Sequence, residues 1–236
     1  MSDQPRLKVA IVDFGLGNLF SVHRACERVG LDAEITNSKQ QVLAADAVLL
    51  PGVGAFGDAM DNLTKADLVG PLRYIHQSGK PLIGICLGQQ LLMSESEEFG
   101  CHKGLGLIDG TVTHFREPHG SSGQILKVPQ VGWNRIHRPS HSGTHDIWAN
   151  SPLAGQSDGA YMYFVHSYYV QPTDPSVRLS VTRYGDVEFC SSVRVGNTCA
   201  VQFHPEKSGT DGLQIYQQIA HFISQRHSLT EYRHAG

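Results

Sequence analysis

Three short, continuous apolar runs in the first 85 residues constrain the fold of the chain more than any other feature. They span Leu7 to Val12, Asp46 to Leu50 and Pro81 to Ile85, and a Gly-containing turn follows each one. An apolar run without polar alternation predicts a strand buried on both faces, as in a parallel sheet. Helical patterns from Asn18 to Val29 and from about Phe56 to Gln77 separate the runs. We therefore expect an α/β domain with a central mixed, mostly parallel sheet flanked by helices.

The second half of the sequence predicts a different kind of structure. Its strand-like runs are shorter and suit partly antiparallel pairing; they span Leu107 to Phe115, Tyr161 to Val170, Val177 to Tyr184 and Thr198 to Phe203. Residues 138–159 are rich in Ser, Gly, His and Pro, which indicates a surface insertion and not a linker between domains. We expect one domain over residues 1–236, with a core of about 8–222 and a polar tail of about 225–236.

Helix signals mark three further places. Asn18 stands where its side chain can cap the first helix, and Gly30 stands where it can end that helix. The residues QQLLMSES after the third apolar run are typical of a helix. An amphipathic pattern from about Gly212 to Ser224 predicts the last helix of the chain.

Charge and cysteine content argue against several classes of function. A net charge of -3 and a pI near 6.5 give no electrostatic reason to expect nucleic acid or an anionic membrane as a partner. The five cysteines are odd in number and lack paired spacing, which favours a reducing compartment over a disulfide framework. No signal-peptide pattern or transmembrane-length stretch is present, so the expected location is cytoplasmic.

The strongest chemical motif is Gly84-Ile-Cys86-Leu-Gly88, where an apolar strand meets a helix. It has the form of a nucleophile elbow, in which small residues on either side of the nucleophile allow a strained turn. A helix starting near Gly88 would direct its N–H groups and positive dipole end at the sulfur and favour the thiolate. Cys86 is the candidate nucleophile, against the alternative of a buried structural cysteine.

A thiolate nucleophile needs a base, and position selects one from the thirteen histidines. His204 follows the apolar residues CAVQF, where strands of an open α/β sheet present ligands. Glu206 lies two residues on, and in an extended segment its carboxylate can orient the His204 ring. We predict a Cys86–His204–Glu206 triad, with His166 as the second candidate base.

A third motif, Pro51-Gly-Val-Gly54, also ends a buried strand. Backbone N–H groups of Gly52 or Val53, with that of Leu87, are candidate donors to an oxyanion formed during attack on an amide. The same stretch matches the G-x-G-x-x-G pattern of dinucleotide-binding loops. We set that interpretation aside, because the match lies outside the first β-α unit and lacks the acidic ribose ligand about 20 residues later.

A metal site would need a different arrangement from the one this sequence offers. His137, His141 and His145 are spaced four apart, but Pro139 and Gly143 interrupt any helix that could align their rings. We therefore predict a loop and no metal.

These motifs, taken in order, resemble the class I (triad) glutamine amidotransferases, and the resemblance runs from about Lys8 to Phe222. A narrower set is similar to the glutaminase subunits of imidazole glycerol phosphate synthase. It comprises Asp13-Phe-Gly-Leu-Gly-Asn18-Leu, PGVGAFGDAM, GICLGQQLL, VGWN, YFVHSYY and QFHPEKSG.

The resemblance implies hydrolysis of L-glutamine to glutamate and ammonia, without a metal or organic cofactor. It also implies a heterodimer with a (β/α)8-barrel synthase subunit, which uses the ammonia to form imidazole glycerol phosphate and an aminoimidazole carboxamide ribotide. The implied glutamine pocket comprises Gly54, Gln90, Glu98, Ser167 and Tyr168. Within it, Glu98 would pair with the substrate ammonium group. The implied barrel-facing residues are Asn18, Trp133 and Lys207.

Two residues depart from the family pattern, because Gln89 stands at a position that is often apolar and Gln130 at one where His is common. Three other functions compete with this interpretation. They are a paralogous glutaminase that supplies a different synthase, a peptide hydrolase with the same triad chemistry, and a partner-binding module without activity. A partner-binding module without activity would leave the three coincident chemical motifs without a role.

Overall fold

The three apolar runs form neighbouring parallel strands, and the structure confirms the predicted α/β fold class. The computed structural model describes residues 7–140 and 146–234. Within these residues the helices are α1 (Leu19–Arg28), α2 (Lys39–Ala44), α3 (Phe56–Lys65), α4 (Val69–Gln77), α5 (Leu87–Leu91) and α6 (Gly209–His234). The strands are β1 (Lys8–Val12), β2 (Asp32–Thr36), β3 (Ala47–Gly52), β4 (Leu82–Cys86), β5 (Met93–Ser96), β6 (His102–Lys103), β7 (Ile108–His114), β8 (Gln130–Arg135), β9 (Tyr161–His166), β10 (Tyr168–Pro172), β11 (Arg178–Tyr184), β12 (Val187–Val195) and β13 (Thr198–Val201).

The large sheet has the order β2-β1-β3-β4-β13-β12-β10-β7-β5-β6, and β11 pairs with β12 beside this path. The block from β2 to β13 is parallel, and most of the remaining ladders are antiparallel. Strands β8 and β9 form a separate two-stranded sheet. The carboxyl ends of β3, β4 and β13 therefore meet at one edge, where an open α/β sheet carries its ligands.

Both faces of the parallel strands β1, β3, β4 and β13 are covered, as their apolar runs require, whereas the edge strand β2 is largely exposed. In β1, Val9 and Ile11 join a core cluster that includes residues of α1 and α6. The alternate residues Ala10 and Val12 join a second cluster that includes residues of α3 and α4. This division fixes the strand register, because a slip of one residue would exchange the two sets.

Several predicted elements differ in extent from those observed. The helical region from Phe56 to Gln77 is two helices, and Asp67, with φ of 55°, stands in the break between them. The last helix runs from Gly209 to His234, so it extends through most of the predicted polar tail. The run from Tyr161 to Val170 is split, since β9 and β10 belong to different sheets. Asn18 occupies the N-cap position of α1, but its side chain makes no capping hydrogen bond.

The predicted helix QQLLMSES was wrong in its second half. The helix α5 ends at Leu91, and the chain continues as β5, which pairs in parallel with β7. Here strand pairing outweighs local helix preference, which is a weak influence for a short segment.

Part of the predicted surface insertion is anchored in the core. Within residues 146–159, the Trp148 side chain is fully buried, and its Nε1–H donates a 2.6 Å hydrogen bond to the Leu179 carbonyl oxygen. The Arg138 guanidinium lies 4.0 Å from the centre of the Trp148 ring. No helix in the described part of the chain is long and apolar enough to cross a bilayer.

Candidate active site

Cys86 ends β4 in the strained turn that its flanking glycines predicted. Its backbone has φ of 55° and ψ of -110°, which is unusual for a residue with a side chain. A Cβ atom at Gly88 would lie 1.7 Å from the Leu50 carbonyl oxygen, and one at Gly84 would lie 2.9 Å from the Ala200 Cβ. Both glycines are therefore required by close packing, and the geometry is that of a nucleophile elbow.

The helix after the nucleophile is shorter than expected. Because α5 has five residues and a strand follows it, its aligned peptide dipoles are few. The macrodipole is therefore a weaker possible source of thiolate stabilisation than the sequence suggested.

His204 and Glu206 lie together beyond the end of β13. The His204 Nδ1 and Glu206 Oε1 atoms are 2.7 Å apart, and both side chains are 3% exposed. The predicted contact is present, but its cause differs: Pro205–Lys207 forms a 3-10 turn, which carries the Glu206 carboxylate back toward the ring. The backbone of His204 is held by its N–H bond to the Tyr163 carbonyl oxygen and by the Ser208 hydroxyl, which donates to the His204 carbonyl oxygen.

The electrostatics of this pair suit a base beside a sulfur nucleophile. Burial lowers the pKa of His204, but Cys86 and Glu206 outweigh burial and raise it above its ordinary value. The His204 Nε2 atom is buried and makes no hydrogen bond of ordinary length and angle to a described residue, although Cys86 is near enough to raise the pKa of His204. A raised pKa favours the imidazolium form, which is the partner that a Cys86 thiolate requires.

His166, the second candidate base, lies in a different environment. Its Nδ1 atom is 2.8 Å from the Tyr168 carbonyl oxygen, and the rings of Phe115, Phe164 and Phe189 surround it. Burial lowers its pKa to about 4, with a further lowering contribution from His204. A neutral ring without a carboxylate partner is less suited than His204 to receive the thiol proton.

One cavity of about 420 Å³ brings together the sulfur and every residue that the resemblance assigned to the glutamine pocket. Its volume suits a small ligand and not an extended peptide. Beside Cys86, its lining includes Gly54, Gln90, Glu98, Ser167 and Tyr168. A larger groove of about 980 Å³ lies between α1 and the start of α6, but Cys86 does not line it.

Glu98 faces this cavity with one oxygen already bonded. Its Oε2 atom accepts a 2.6 Å hydrogen bond from the backbone N–H of Phe56, the first residue of α3. Burial raises the pKa of Glu98, although the Phe56 N–H and the nearby His102 and His114 act to lower it. A cationic group in the cavity would favour the ionised carboxylate.

The predicted oxyanion residues lie on both sides of the sulfur. In the parallel register Gly52 is opposite Cys86, and Leu87 follows Cys86 directly. A Cβ atom at Gly52 would lie 2.7 Å from the Phe14 ring, so this position must be glycine. Gly54 has φ of 107°, a conformation that glycine adopts without steric cost. Val53 lines the cavity and is 41% exposed.

The three predicted interface residues are connected to the cavity through Lys207. Lys207 lines it directly and also shares a small adjoining cavity with Asn18. The Lys207 ammonium lies 5.8 Å from the centre of the Tyr163 ring, which meets the Trp133 ring edge-on at 6.1 Å. Trp133 is 55% exposed, so a large apolar side chain stands uncovered beside the site.

Gln202 is a site residue that the sequence analysis missed. It is fully buried, and its Nε2 atom lies 3.7 Å from Cys86 Sγ. A signal was present, because Gln202 precedes His204 by two residues in a mainly extended segment, and such residues share a side.

A metal site is absent from the described part of the chain, where no group of three or more His, Cys, Asp or Glu residues is placed to hold an ion. His137 pairs with Asp158 at 3.1 Å. His141 and His145 lie outside the described residues.

Comparison with known proteins gives consistent results. The family model described as "Glutamine amidotransferase class-I" matches residues 10–220. Relatives named imidazole glycerol phosphate synthase subunit HisH match nearly end to end. The protein from Rhodopirellula baltica is 45% identical over 90% of this chain and 96% of its own length. The one from Syntrophotalea carbinolica is 47% identical over 89% and 98%, and the one from Geobacter sulfurreducens is 45% identical over 90% and 97%.

Solved structures with low sequence identity share the fold. The match to PurLQS from Thermotoga maritima has a TM-score of 0.65 at 18% identity and covers 92% of this chain and 99% of the matched chain. The glutaminase domain of Trypanosoma brucei CTPS with bound acivicin has a TM-score of 0.63 at 16% identity and covers 93% and 94%.

Proposed function

The chain belongs to the class I glutamine amidotransferases, as a glutaminase subunit of imidazole glycerol phosphate synthase in histidine biosynthesis, and on that premise we propose how its residues release ammonia from L-glutamine. In this proposal Cys86 is the nucleophile, His204 carries the proton and Glu206 orients His204. The contact between His204 and Glu206 beside a strained Cys86 is the observation that carries the assignment.

The first half of the reaction forms a thioester. The Cys86 thiolate attacks the side-chain amide carbon of glutamine, and the C=O electron pair moves to oxygen. Backbone N–H groups of Gly52 or Val53, with that of Leu87, stabilise the oxyanion. As the tetrahedral intermediate collapses, the C–N bond breaks and the His204 imidazolium donates its proton to the departing nitrogen, which leaves as ammonia.

The second half restores the enzyme. Neutral His204 accepts a proton from water, the hydroxyl oxygen attacks the thioester, and the C–S bond breaks to give glutamate and the Cys86 thiolate. Glu206 stabilises the imidazolium in both halves without accepting its proton.

Substrate recognition is assigned to the cavity walls. Glu98 pairs with the glutamine ammonium group through the carboxylate oxygen that does not bond Phe56. Backbone groups at Ser167 and Tyr168 line the cavity where they can bind the α-carboxylate of glutamine. Gly54 and Gln90 complete the lining.

The ammonia acceptor in this proposal is a (β/α)8-barrel synthase subunit that binds as a heterodimer partner. The relatives' name identifies a synthase subunit, while the exposed Trp133 beside the cavity supports a partner on this side. Asn18 and Lys207 extend the same surface. A partner seated here would cover the cavity mouth and keep released ammonia from the solvent.

The test combines the purified chain with the matching barrel subunit in the presence of its ribonucleotide ligand. Glutamate release is measured for the wild type, for Cys86→Ala and for Cys101→Ala, which removes an exposed cysteine as the matched control. We expect Cys86→Ala to abolish glutamine-dependent synthesis but to retain synthesis from added ammonium salts. Wild-type glutamine turnover by Cys86→Ala would contradict the assignment.

A further inference from the structure

A row of buried amide groups connects the wall of the glutamine cavity to the nucleophile. Gln90 Nε2 lies 3.0 Å from the Tyr168 carbonyl oxygen and 3.1 Å from Gln202 Oε1. Gln202 Nε2 in turn lies 3.7 Å from Cys86 Sγ. Gln90 is 5% exposed and Gln202 is fully buried, so water does not compete for these contacts.

The hydrogen-bond partners fix the direction of both amides. The Tyr168 carbonyl oxygen can only accept, so Gln90 must turn its NH2 group toward it. The same NH2 group reaches Gln202, which therefore presents its oxygen to Gln90. This arrangement leaves the Gln202 NH2 group facing Cys86, where it can donate to a thiolate.

We propose that Gln202 is a catalytic residue of this glutaminase, which donates a hydrogen bond to the Cys86 thiolate and holds the sulfur in place for attack, with Gln90 as the residue that positions it. The proposal rests on the proposed role of Cys86 as nucleophile. It supplies a donor where the five-residue helix α5 contributes little dipole. Hydrogen bonds to a charged acceptor are stronger than neutral ones and favour the charged form.

Gln89 provides an internal comparison. It is also a fully buried glutamine beside the elbow, but neither its Oε1 nor its Nε2 atom has a hydrogen-bond partner among the described residues. A change from glutamine to methionine at Gln89 or Gln202 removes an amide of similar size from a similar environment. A difference between the two variants therefore reports on contact with the sulfur.

The experiment measures alkylation of Cys86 by iodoacetamide without glutamine, in a Cys101→Ala background that removes the exposed thiol. Rates are followed from about pH 5 to about pH 10 with peptide mass spectrometry, a range that spans the ionisation of an ordinary thiol. For Gln202→Met we expect the profile to move to higher pH, so that the rate on its rising limb is about tenfold below that of the parent, because the thiolate loses a donor. At high pH, where every thiol ionises, the rates should converge.

The shape of the pH profile separates a donor from a packing residue. A packing defect that blocks access to the sulfur would lower the rate by a similar factor at every pH, whereas loss of a donor moves the profile to higher pH. Gln89→Met should retain the parent profile. A Gln202→Met profile that superimposes on that of Gln89→Met, or one lowered uniformly, overturns the proposal.

A second variant covers the case in which Gln202→Met does not fold. Gln90→Met leaves Gln202 in place but removes the group that fixes its direction. We expect its profile to move to higher pH by less than that of Gln202→Met, with about a threefold slower reaction on the rising limb. A parent-like profile for Gln90→Met would overturn the proposal. Failure of Cys86 to react in the parent itself would instead count against the proposed function.

Discussion

Glu98 and Phe56 connect the cavity beside Cys86 to the loop of Pro51 to Gly54, since Glu98 Oε2 accepts a 2.6 Å hydrogen bond from the N–H of Phe56, which begins α3. Phe56 follows Gly54 by two residues, so the carboxylate that lines the cavity also holds the end of this loop. One side chain can thus contribute to substrate binding and to catalysis in separable ways.

Two variants of Glu98 should separate these contributions. Glu98→Gln keeps an oxygen for Phe56 but loses the charge, so we expect KM for glutamine to rise about tenfold or more while kcat changes little. Glu98→Ala should also lower kcat, because the loop loses its anchor. Steady-state glutamate release measures both constants.

Glutaramate, which is glutamine without its amino group, provides the decisive comparison for Glu98. With this substrate Glu98→Gln should equal the wild type, and Glu98→Ala should remain slow. The control is Glu97→Gln, an adjacent carboxylate that does not line the cavity. Equal kcat values for the two Glu98 variants on glutaramate would count against the anchoring role.

The proposed triad predicts how strongly substitution of each member reduces turnover. His204→Ala should be about as damaging as Cys86→Ala, and Glu206→Gln should be milder, because an orienting residue contributes less than the nucleophile or the base. Turnover of the three variants in the complex tests this order. A variant of His166 more damaging than His204→Ala to both turnover and thiol alkylation would reassign the base.

Substitutions on the exposed surface beside the cavity should weaken association with the barrel subunit. Trp133→Ala should raise the Kd for the barrel subunit by about thirtyfold or more, as expected for a large exposed aromatic residue that a partner covers. Lys207→Ala should reduce the stimulation of glutamate release by the ribonucleotide. Titration calorimetry and ligand-stimulated glutamate release measure the two effects. Tyr74→Ala and Lys65→Ala remove similar exposed side chains from α4 and α3. If these controls weaken binding as much as Trp133→Ala does, the surface is misassigned.

We expect the buried His166 side chain to contribute to the acid sensitivity of the fold. Its pKa in the folded protein is lowered to about 4 from the ordinary 6.5, so the unfolded chain binds a proton first as the pH falls. The free energy of unfolding is therefore unaffected by His166 protonation above about pH 6.5 and decreases as the pH falls toward 4. The expected decrease is about 2 kcal/mol between pH 7 and pH 5. Urea unfolding should show that His166→Gln lacks this decrease and that His221→Gln, on the surface of α6, retains it.

We expect replacement of Gln89 by an apolar residue to stabilise the folded protein. Its buried amide lacks partners among the described residues, so Gln89→Met should raise the free energy of unfolding by about 1–2 kcal/mol. Thermal and urea unfolding test this expectation, with glutaminase activity as the check that the site is intact. A destabilised but active variant would indicate that the amide has a partner such as a buried water.

The sequence by itself determined the parallel block and the strained turn at its edge. Apolar runs predict buried strands because such strands have no solvent-facing side. The glycines around Cys86 predict an elbow because a side chain there would collide with Leu50 or Ala200. The residues that the resemblance assigned to the glutamine pocket all line the cavity beside Cys86, and their contact with glutamine stays a prediction.

Tertiary structure decided the features that depend on partners distant in the sequence. The segment after Cys86 leaves its helix because β7 offers a pairing edge, and Trp148 enters the core because Leu179 accepts its N–H. Gln202 reaches the sulfur because β13 lies beside β4, although the two are more than a hundred residues apart in the chain. Local patterns record the periodicity and steric needs of a segment, whereas the direction of a buried amide depends on donors and acceptors that meet only after the sheet has formed.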